Sequence, residues 1–388
     1  MMSTGSPNNV ISFPLVSRAS RTAPRSIGSL ERKIRATPLP SVGRQPTVTV
    51  VITCYNYERY LPQAICSALD QTGVEVDVIV VDDASTDGSL AAARELEARD
   101  SRVIVIEHMS NKGPVETFND GLALASGEFL VRLDADDLLT PGSLARAVAV
   151  MRYYPTVGLV YGHPLHFSGD NLPAARKNPT GWTIWPGREW LTDRCANAYN
   201  VITSPEAFIR RSVVDQIGGL QPLAHTHDME LWLRIAAFSD VAYIHGADQA
   251  WHREHSASLS ARKVDSLRDI QERVAAFDVL FAGAAGGIDG AREMRAAAME
   301  AIAAQAVTYA TREYDHGRDS AELVKDLIET ARAAVPDLES VTGWKGLERR
   351  MKMGARRAGL HPQSFVARGR RRMLDRLSKR RWHKTGEF

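Results

Sequence analysis

Four short stretches of this 388-residue chain put acids or imidazoles where they could do chemistry. The first is Val80-Val81-Asp82-Asp83-Ala84-Ser85-Thr86-Asp87. Two carboxylates directly after an apolar run can accept hydrogen bonds from a base or a ribose. The structural alternative is capping of a following helix by Asp83, Ser85 or Asp87, and Asp87 fits that role best. The second is Leu133-Asp134-Ala135-Asp136-Asp137. Acids two apart on an extended chain project to one side, so Asp134 and Asp136 could face one cation. Hard ions such as Mn2+ or Mg2+ favour carboxylate oxygen and often bind through few protein ligands plus substrate phosphates. Three carboxylates within four residues repel one another unless a cation or hydrogen bonds offset the charge. A helix-start cluster ahead of Pro141 is the alternative. The third stretch, His227-Asp228-Met229-Glu230-Leu231-Trp232-Leu233-Arg234, sets Asp228 at the start of an apolar helix. The positive end of the helix dipole favours an ionised carboxylate there, and an N-cap is an equal alternative. The fourth is Trp251-His252-Arg253-Glu254-His255, where His255 taken alone is more readily structural than a ligand.

The elements around these stretches alternate. Apolar, β-branched runs at Thr47–Cys54, Val76–Val81, Val103–Ile106, Phe129–Leu133 and Val157–Tyr161 read as strands, the first of them buried on both faces. Between them, Glu58–Asp70, Leu90–Ala98, Val115–Ala125 and a segment from Pro141 to about Tyr153 read as helices, proline being tolerated in a first turn. Strands separated by helices of about ten residues predict an α/β, mostly parallel sheet with right-handed crossovers. In such sheets ligands sit beyond the carboxyl ends of the strands, which is where the first two acidic stretches fall. From Pro164 to Pro186 the pattern gives way to a polar loop. Order resumes with a helix at Gly187–Arg194, a segment at Ile202–Arg210 and a helix at Asp228–Phe238. After Ser260 the chain reads as Ala-rich helix, and from Trp344 as a basic helical tail. The expected domains are a disordered basic leader (1–45), a sheet domain (46–260), a helical extension (261–340) and a basic tail (341–388).

Charge is distributed unevenly. The two ends, 1–45 and 345–388, hold 22 of the 48 Lys and Arg but only four of the 46 acids, so residues 46–344 carry a net charge of −16. An acidic centre argues against a nucleic-acid-binding core. Cys54, Cys66 and Cys195 form no CxxC pair, and Cys54 and Cys66, inside apolar runs, read as small core residues, which fits a reducing compartment. No eighteen-residue apolar run is present, and the N-terminus lacks an apolar signal core, so neither a transmembrane helix nor a signal peptide is expected. The cytoplasm is the expected location. The basic tail, with Leu374, Leu377 and Trp382 as an apolar edge, offers a contact with an anionic membrane surface at the inner face of the plasma membrane. A solvated or self-packed tail is the alternative.

Taken together the stretches resemble glycosyltransferase family 2, whose members have the GT-A fold. The resemblance runs from Thr47 to Ser260 through VTVVITCYNYERYLPQAICSALDQT, VIVVDDASTD, NKGPVETFNDGLALASGEFLVRLDADD, the glycines of Gly218–Leu220, HDMELWLRIA and WHREHSASLS, in family order. It implies that Thr53, Tyr55 and Asp83 contact the nucleotide base with Asp82 beside them, and that Asp134 touches the ribose. It further implies that Asp136 coordinates a metal on the diphosphate, that His255 reaches the metal or diphosphate, and that Asp228 is the general base. Three departures stand out. His227 replaces the usual Glu before Asp228, which leaves acceptor positioning open. Phe118 replaces an arginine, and Trp251-His252 stands where Tyr-Arg is commoner.

The implied activity is a metal-dependent, inverting transfer of a sugar from a nucleotide-diphosphate donor to a saccharide or lipid-linked saccharide hydroxyl, with cell-envelope or exopolysaccharide synthesis as the setting. UDP is the expected carrier, with dTDP and GDP as alternatives. Two competing readings are a nucleotidyltransferase, which has no use for the Asp228 helix, and a non-catalytic nucleotide-sugar-binding scaffold on the same fold.

Overall fold

The computed structural model describes residues 34–38, 44–255, 265–318 and 320–385. They form two compact units, a larger one drawn from Ser29–Glu254 and Glu272–Ala301, and a smaller one from His255–Gln271 and Ile302–Phe388. The segment 272–301 therefore groups with the sheet, although the sequence assigns it to the helical extension.

The larger unit is built on nine strands: β1 (Thr47–Cys54), β2 (Glu75–Asp82), β3 (Val103–Glu107), β4 (Phe129–Asp134), β5 (Leu138–Leu139), β6 (Val157–Phe167), β7 (Gly181–Trp185), β8 (Phe208–Arg210) and β9 (Asp240–Arg253). Their order is β3-β2-β1-β4-β8-β6-β9-β5, with β7 pairing β9. β1, β2, β3, β4, β6 and β9 run one way and β5, β7 and β8 the other. Val48 through Ile52 are fully buried, as expected of a parallel strand covered on both faces. Helices α1 (Leu61–Leu69), α2 (Ser89–Arg99), α3 (Pro114–Leu124), α4 (Ser143–Tyr153), α5 (Gly187–Asn197), α6 (Arg211–Ile217) and α7 (His227–Phe238) supply the crossovers and flanks.

The structure corrects three sequence expectations. The loop expected over Pro164–Pro186 shrinks from both sides, because β6 continues to Phe167 and β7 begins at Gly181. β9, the longest strand, goes unpredicted because its polar residues (Asp240, His245, Asp248, Gln249) break the apolar pattern, and partners inside the fold satisfy them. Cys66 is exposed whereas Cys54 and Cys195 are buried. The buried stripe of α1 is Leu61, Ala64, Ile65 and Ala68, which turns position 66 outward. The leader is also tethered in part: Ile34 exchanges two 2.8 Å backbone hydrogen bonds with Trp182 of β7. Residues 1–33 lie outside the described ones.

In the smaller unit, Asp315 is buried at the end of the helix Ala291–Asp315. Arg350 Nε donates to its carboxylate at 2.7 Å, Arg371 donates to the other oxygen, and Arg368 donates to its carbonyl. Burial pushes this carboxyl up, but the Arg371 and Arg350 hydrogen bonds outweigh it and hold it below the usual carboxylate range. Three arginines of the basic tail are thus spent inside the unit. Leu360, Val366, Met373 and Leu377 remain exposed, and no described helix is long and apolar enough to cross a membrane.

Candidate active site

Parallel register brings the candidate residues to one edge. Cys54 pairs with Asp82 across β1 and β2, and Thr53 pairs with Asp134 across β1 and β4, so Asp82 and Asp134 end strands on either side of β1, where Thr53 is the next-to-last residue. The loops after β1 and β2 are laced together. Asn56 N–H donates to Ser85 Oγ (3.0 Å), Asn56 Oδ1 accepts from Thr86 N–H (2.7 Å), and Glu58 N–H donates to Asp87 Oδ2 (3.1 Å). Asp87 also accepts from Ser89 N–H at 2.9 Å, but the N-cap of α2 is Gly88 and no side chain caps the helix, so Asp87 does not take the capping role expected of it. Tyr55 stands on the rim, 46% exposed.

Asp82 and Asp83 are both buried. Asp82 accepts from Ser85 N–H at 3.0 Å. Asp83 accepts from Lys112 N–H (2.7 Å) and His108 Nδ1 (2.9 Å) on one oxygen and from Gly113 N–H (2.9 Å) on the other. Burial raises this carboxyl, but the His108 and backbone donors outweigh it and hold it below its ordinary value. Asp83 therefore stays ionised and organises the 108–113 loop along this edge, a structural duty the sequence does not announce.

The second acidic stretch departs from its expected geometry. The chain turns at once after Asp134, with Asp137 N–H donating to Asp134 O at 3.0 Å. The extended run that was to align Asp134 with Asp136 is therefore absent, and each acid has its own partners. Asp134 meets Arg132 Nη2 at 2.8 Å and Thr53 Oγ1 at 3.4 Å. Asp136, 7% exposed, accepts from the Tyr57 hydroxyl. Burial first, then the charges of Asp136, Asp134 and Asp137, push that hydroxyl far above its usual range, so it remains a donor. Asp137 accepts from Arg253 N–H at 2.8 Å and meets His252 Nδ1 at 3.0 Å. Burial works against a charge on His252, but Asp137 outweighs it and holds the ring protonated. Among the described residues no group of three His, Cys, Asp or Glu side chains is disposed to hold a metal by itself. One carboxylate completed by substrate phosphates is the kind of donor set hard divalent ions accept, so Asp136 fits a donor-delivered cation. His255 lies two residues beyond the end of β9 and falls in the smaller unit. The motif residues Ser256–Ser260 lie outside the described residues.

Asp228 lies in the first turn of α7, and the helix is not capped by a side chain. From Thr226 to Ala237 every residue is buried except Asp228. Its Oδ1 accepts from Met229 N–H at 2.6 Å and its Oδ2 from Ser204 Oγ at 3.2 Å. Ser204 Oγ in turn accepts from Arg132 Nη1 at 2.9 Å. Behind the helix, Glu230 and Arg234 form a buried pair at 2.8 Å. Arg234 also donates to the carbonyls of Ile217, Gly218 and Gly219, which fixes the glycine turn. His227 is buried, and burial, then Arg132, hold its imidazole below its usual range. Phe118, at the position of the absent arginine, is 1% exposed and belongs to the core.

Residues 49–218 match the family model described as Glycosyl transferase family 2. They form a family 2 glycosyltransferase domain. An uncharacterized glycosyltransferase of Nostoc sp. is 39% identical over 176 residues, 45% of this chain and 54% of the relative. The succinoglycan biosynthesis protein ExoO of Rhizobium meliloti is 38% identical over 109 residues, 28% of this chain and 31% of its own. The chain thus spans about half the length, or less, of these curated relatives. Among solved structures, TarS 1-349 of S. aureus in complex with UDP-GlcNAc superposes with a TM-score of 0.58 at 16% identity, over 83% of this chain and 92% of that one. The likeness establishes the GT-A type fold of the glycosyltransferase domain. Sequence reasoning missed four residues of this site: Tyr57, Arg132, Ser204 and His252. The family motifs quoted above contain three of them. Ser204 lies in no motif, and only the fold brings it to Asp228.

Proposed function

We propose that this chain transfers a glycosyl group from a nucleoside-diphosphate sugar to a hydroxyl acceptor by a single inverting displacement, with Asp228 as general base. One observation carries the reading: Asp228 is the single accessible residue in the sealed stretch Thr226–Ala237, in the first turn of α7. An acceptor hydroxyl at Asp228 gives its proton to the carboxylate as its oxygen bonds the anomeric carbon and the bond to the diphosphate breaks. No enzyme nucleophile enters, so configuration inverts, by the logic of inverting glycoside hydrolysis with a sugar hydroxyl in place of water. Thr53, Tyr55, Asp82 and Asp83 form the nucleotide end of the edge, with Asp134 toward the ribose. Asp136 would hold Mn2+ or Mg2+, which when bound supplies Lewis-acid neutralisation of the departing diphosphate.

UDP is the favoured carrier, since TarS, alike in fold, binds UDP-GlcNAc. A saccharide or lipid-linked saccharide acceptor in exopolysaccharide synthesis is the favoured setting, given the ExoO relative. The exposed Val366, Met373 and Leu377 beside Arg370, Arg372 and Arg376 suit peripheral contact with an anionic membrane surface at the cytoplasmic side. The Asp228→Asn variant tests the base. Transfer is expected to vanish while nucleotide-sugar binding measured by calorimetry stays within twofold of wild type. Loss of binding in that variant, or full transfer, would count against the assignment.

A further inference from the structure

We infer that Ser204 is a positioning residue for Asp228, and that Arg132 and Ser204 join Asp228 to Asp134 in one chain of two hydrogen bonds and an ion pair. The inference rests on the reading of Asp228 as the base.

The local sequence Thr203-Ser204-Pro205-Glu206 folds back on itself. Glu206, 2% exposed, accepts from Thr203 N–H at 2.6 Å and from Thr203 Oγ1 at 2.7 Å. Ala207 N–H donates to Ser204 O at 2.9 Å. Closing so small a loop forces Ser204 to a φ of +87°, a region in which side-chain-bearing residues are strained and glycine is not. The loop leads into β8, which runs antiparallel to β4, so it lies at the same sheet edge as Asp134.

In that conformation Ser204, 2% exposed, is held between two charges. Arg132 Nη1 donates to its oxygen at 2.9 Å, and Asp228 Oδ2 lies 3.2 Å away. The hydroxyl has one proton and guanidinium has no acceptor, so that proton points at Asp228. With Met229 N–H on Oδ1 at 2.6 Å, both carboxylate oxygens are held and the plane of the base is set. Arg132 Nη2 reaches Asp134 Oδ1 at 2.8 Å. One guanidinium therefore spans the donor-side acid and the serine that orients the base. Stability alone would favour glycine at a φ of +87°. Strained backbone of this kind concentrates at functional sites, and here the strained residue supplies a hydroxyl in contact with the base.

The test compares wild type with Ser204→Ala, Ser204→Gly and Asp228→Asn. Nucleoside diphosphate release is followed from UDP-, dTDP- and GDP-sugars with Mn2+ and a mixed saccharide acceptor, alongside UDP binding by calorimetry and thermal unfolding. Both Ser204 variants should lose roughly tenfold or more in kcat with KM for the donor and UDP affinity within twofold, the size expected for one hydrogen bond to a charged group. The glycine variant, freed of strain, should unfold no lower than the alanine one. Wild-type kcat in Ser204→Gly overturns the inference, because a merely structural position is satisfied by glycine. If Asp228→Asn is inactive while Ser204→Gly is fully active, only the positioning role fails. If Asp228→Asn is fully active, or wild type releases no nucleoside diphosphate from any donor, the underlying reading falls and takes this inference with it.

Discussion

Asp248→Asn should weaken the frame of the site by an amount that can be worked from one carboxylate. Asp248 sits on β9 with no exposure. Its Oδ1 meets His163 Nδ1 at 2.9 Å and Arg176 Nε at 3.0 Å, and its Oδ2 accepts from Arg176 N–H at 2.7 Å. Burial raises the carboxyl, but His163 and Arg176 overcome it and hold it at about 2 against an ordinary 3.8. At 1.36 kcal/mol per tenfold, that difference is worth about 2.4 kcal/mol of stability at neutral pH. The folded value is depressed, so the contribution is complete above about pH 4 and disappears as the pH falls toward 2. Asparagine keeps the shape and removes the charge. Urea unfolding at pH 7 should show the variant less stable by about 2–3 kcal/mol, and the difference from wild type should narrow steadily below pH 4. Equal stability at pH 7, or a gap that acid leaves unchanged, would refute the reasoning.

Two further substitutions probe the support of α7. Arg234→Met strands the buried Glu230 carboxylate and frees three carbonyls, and urea unfolding should show a loss of about 3–5 kcal/mol. In Gly219→Ala the new Cβ would stand 2.3 Å from Asn119 Oδ1. That oxygen is held by Leu220 N–H at 2.8 Å and cannot simply step aside, so a loss of about 1–3 kcal/mol is expected in the same assay.

The part of the fold that reads directly from the sequence is the part built by periodicity. β1, β2, β3 and β4 are short apolar runs between helices, and their ends announce Asp82, Asp83, Asp134 and Asp136. β9 stays hidden because Asp248 and Gln249 look like loop residues until His163, Arg176 and Arg146 are brought to them from other elements. The separation of Asp134 from Asp136 escapes for a different reason: a four-residue turn and an extended step share the same three letters. The position of Asp228 follows from the apolar helix behind it. Ser204 is 24 residues away from Asp228, reaches it through a loop set by the buried Glu206, and no periodicity encodes that approach.

The central claim is tested most directly by nucleoside diphosphate release from a panel of UDP-, dTDP- and GDP-sugars, in Mn2+ or Mg2+ and in EDTA, for wild type and Asp136→Ala. The account predicts release from one nucleotide class, abolished by EDTA and reduced at least a hundredfold by Asp136→Ala, a loss of roughly 2.7 kcal/mol or more in transition-state stabilisation. Release that survives both EDTA and Asp136→Ala would contradict a metal-assisted donor site. Absence of both release and donor binding across the panel would move the chain to the scaffold reading.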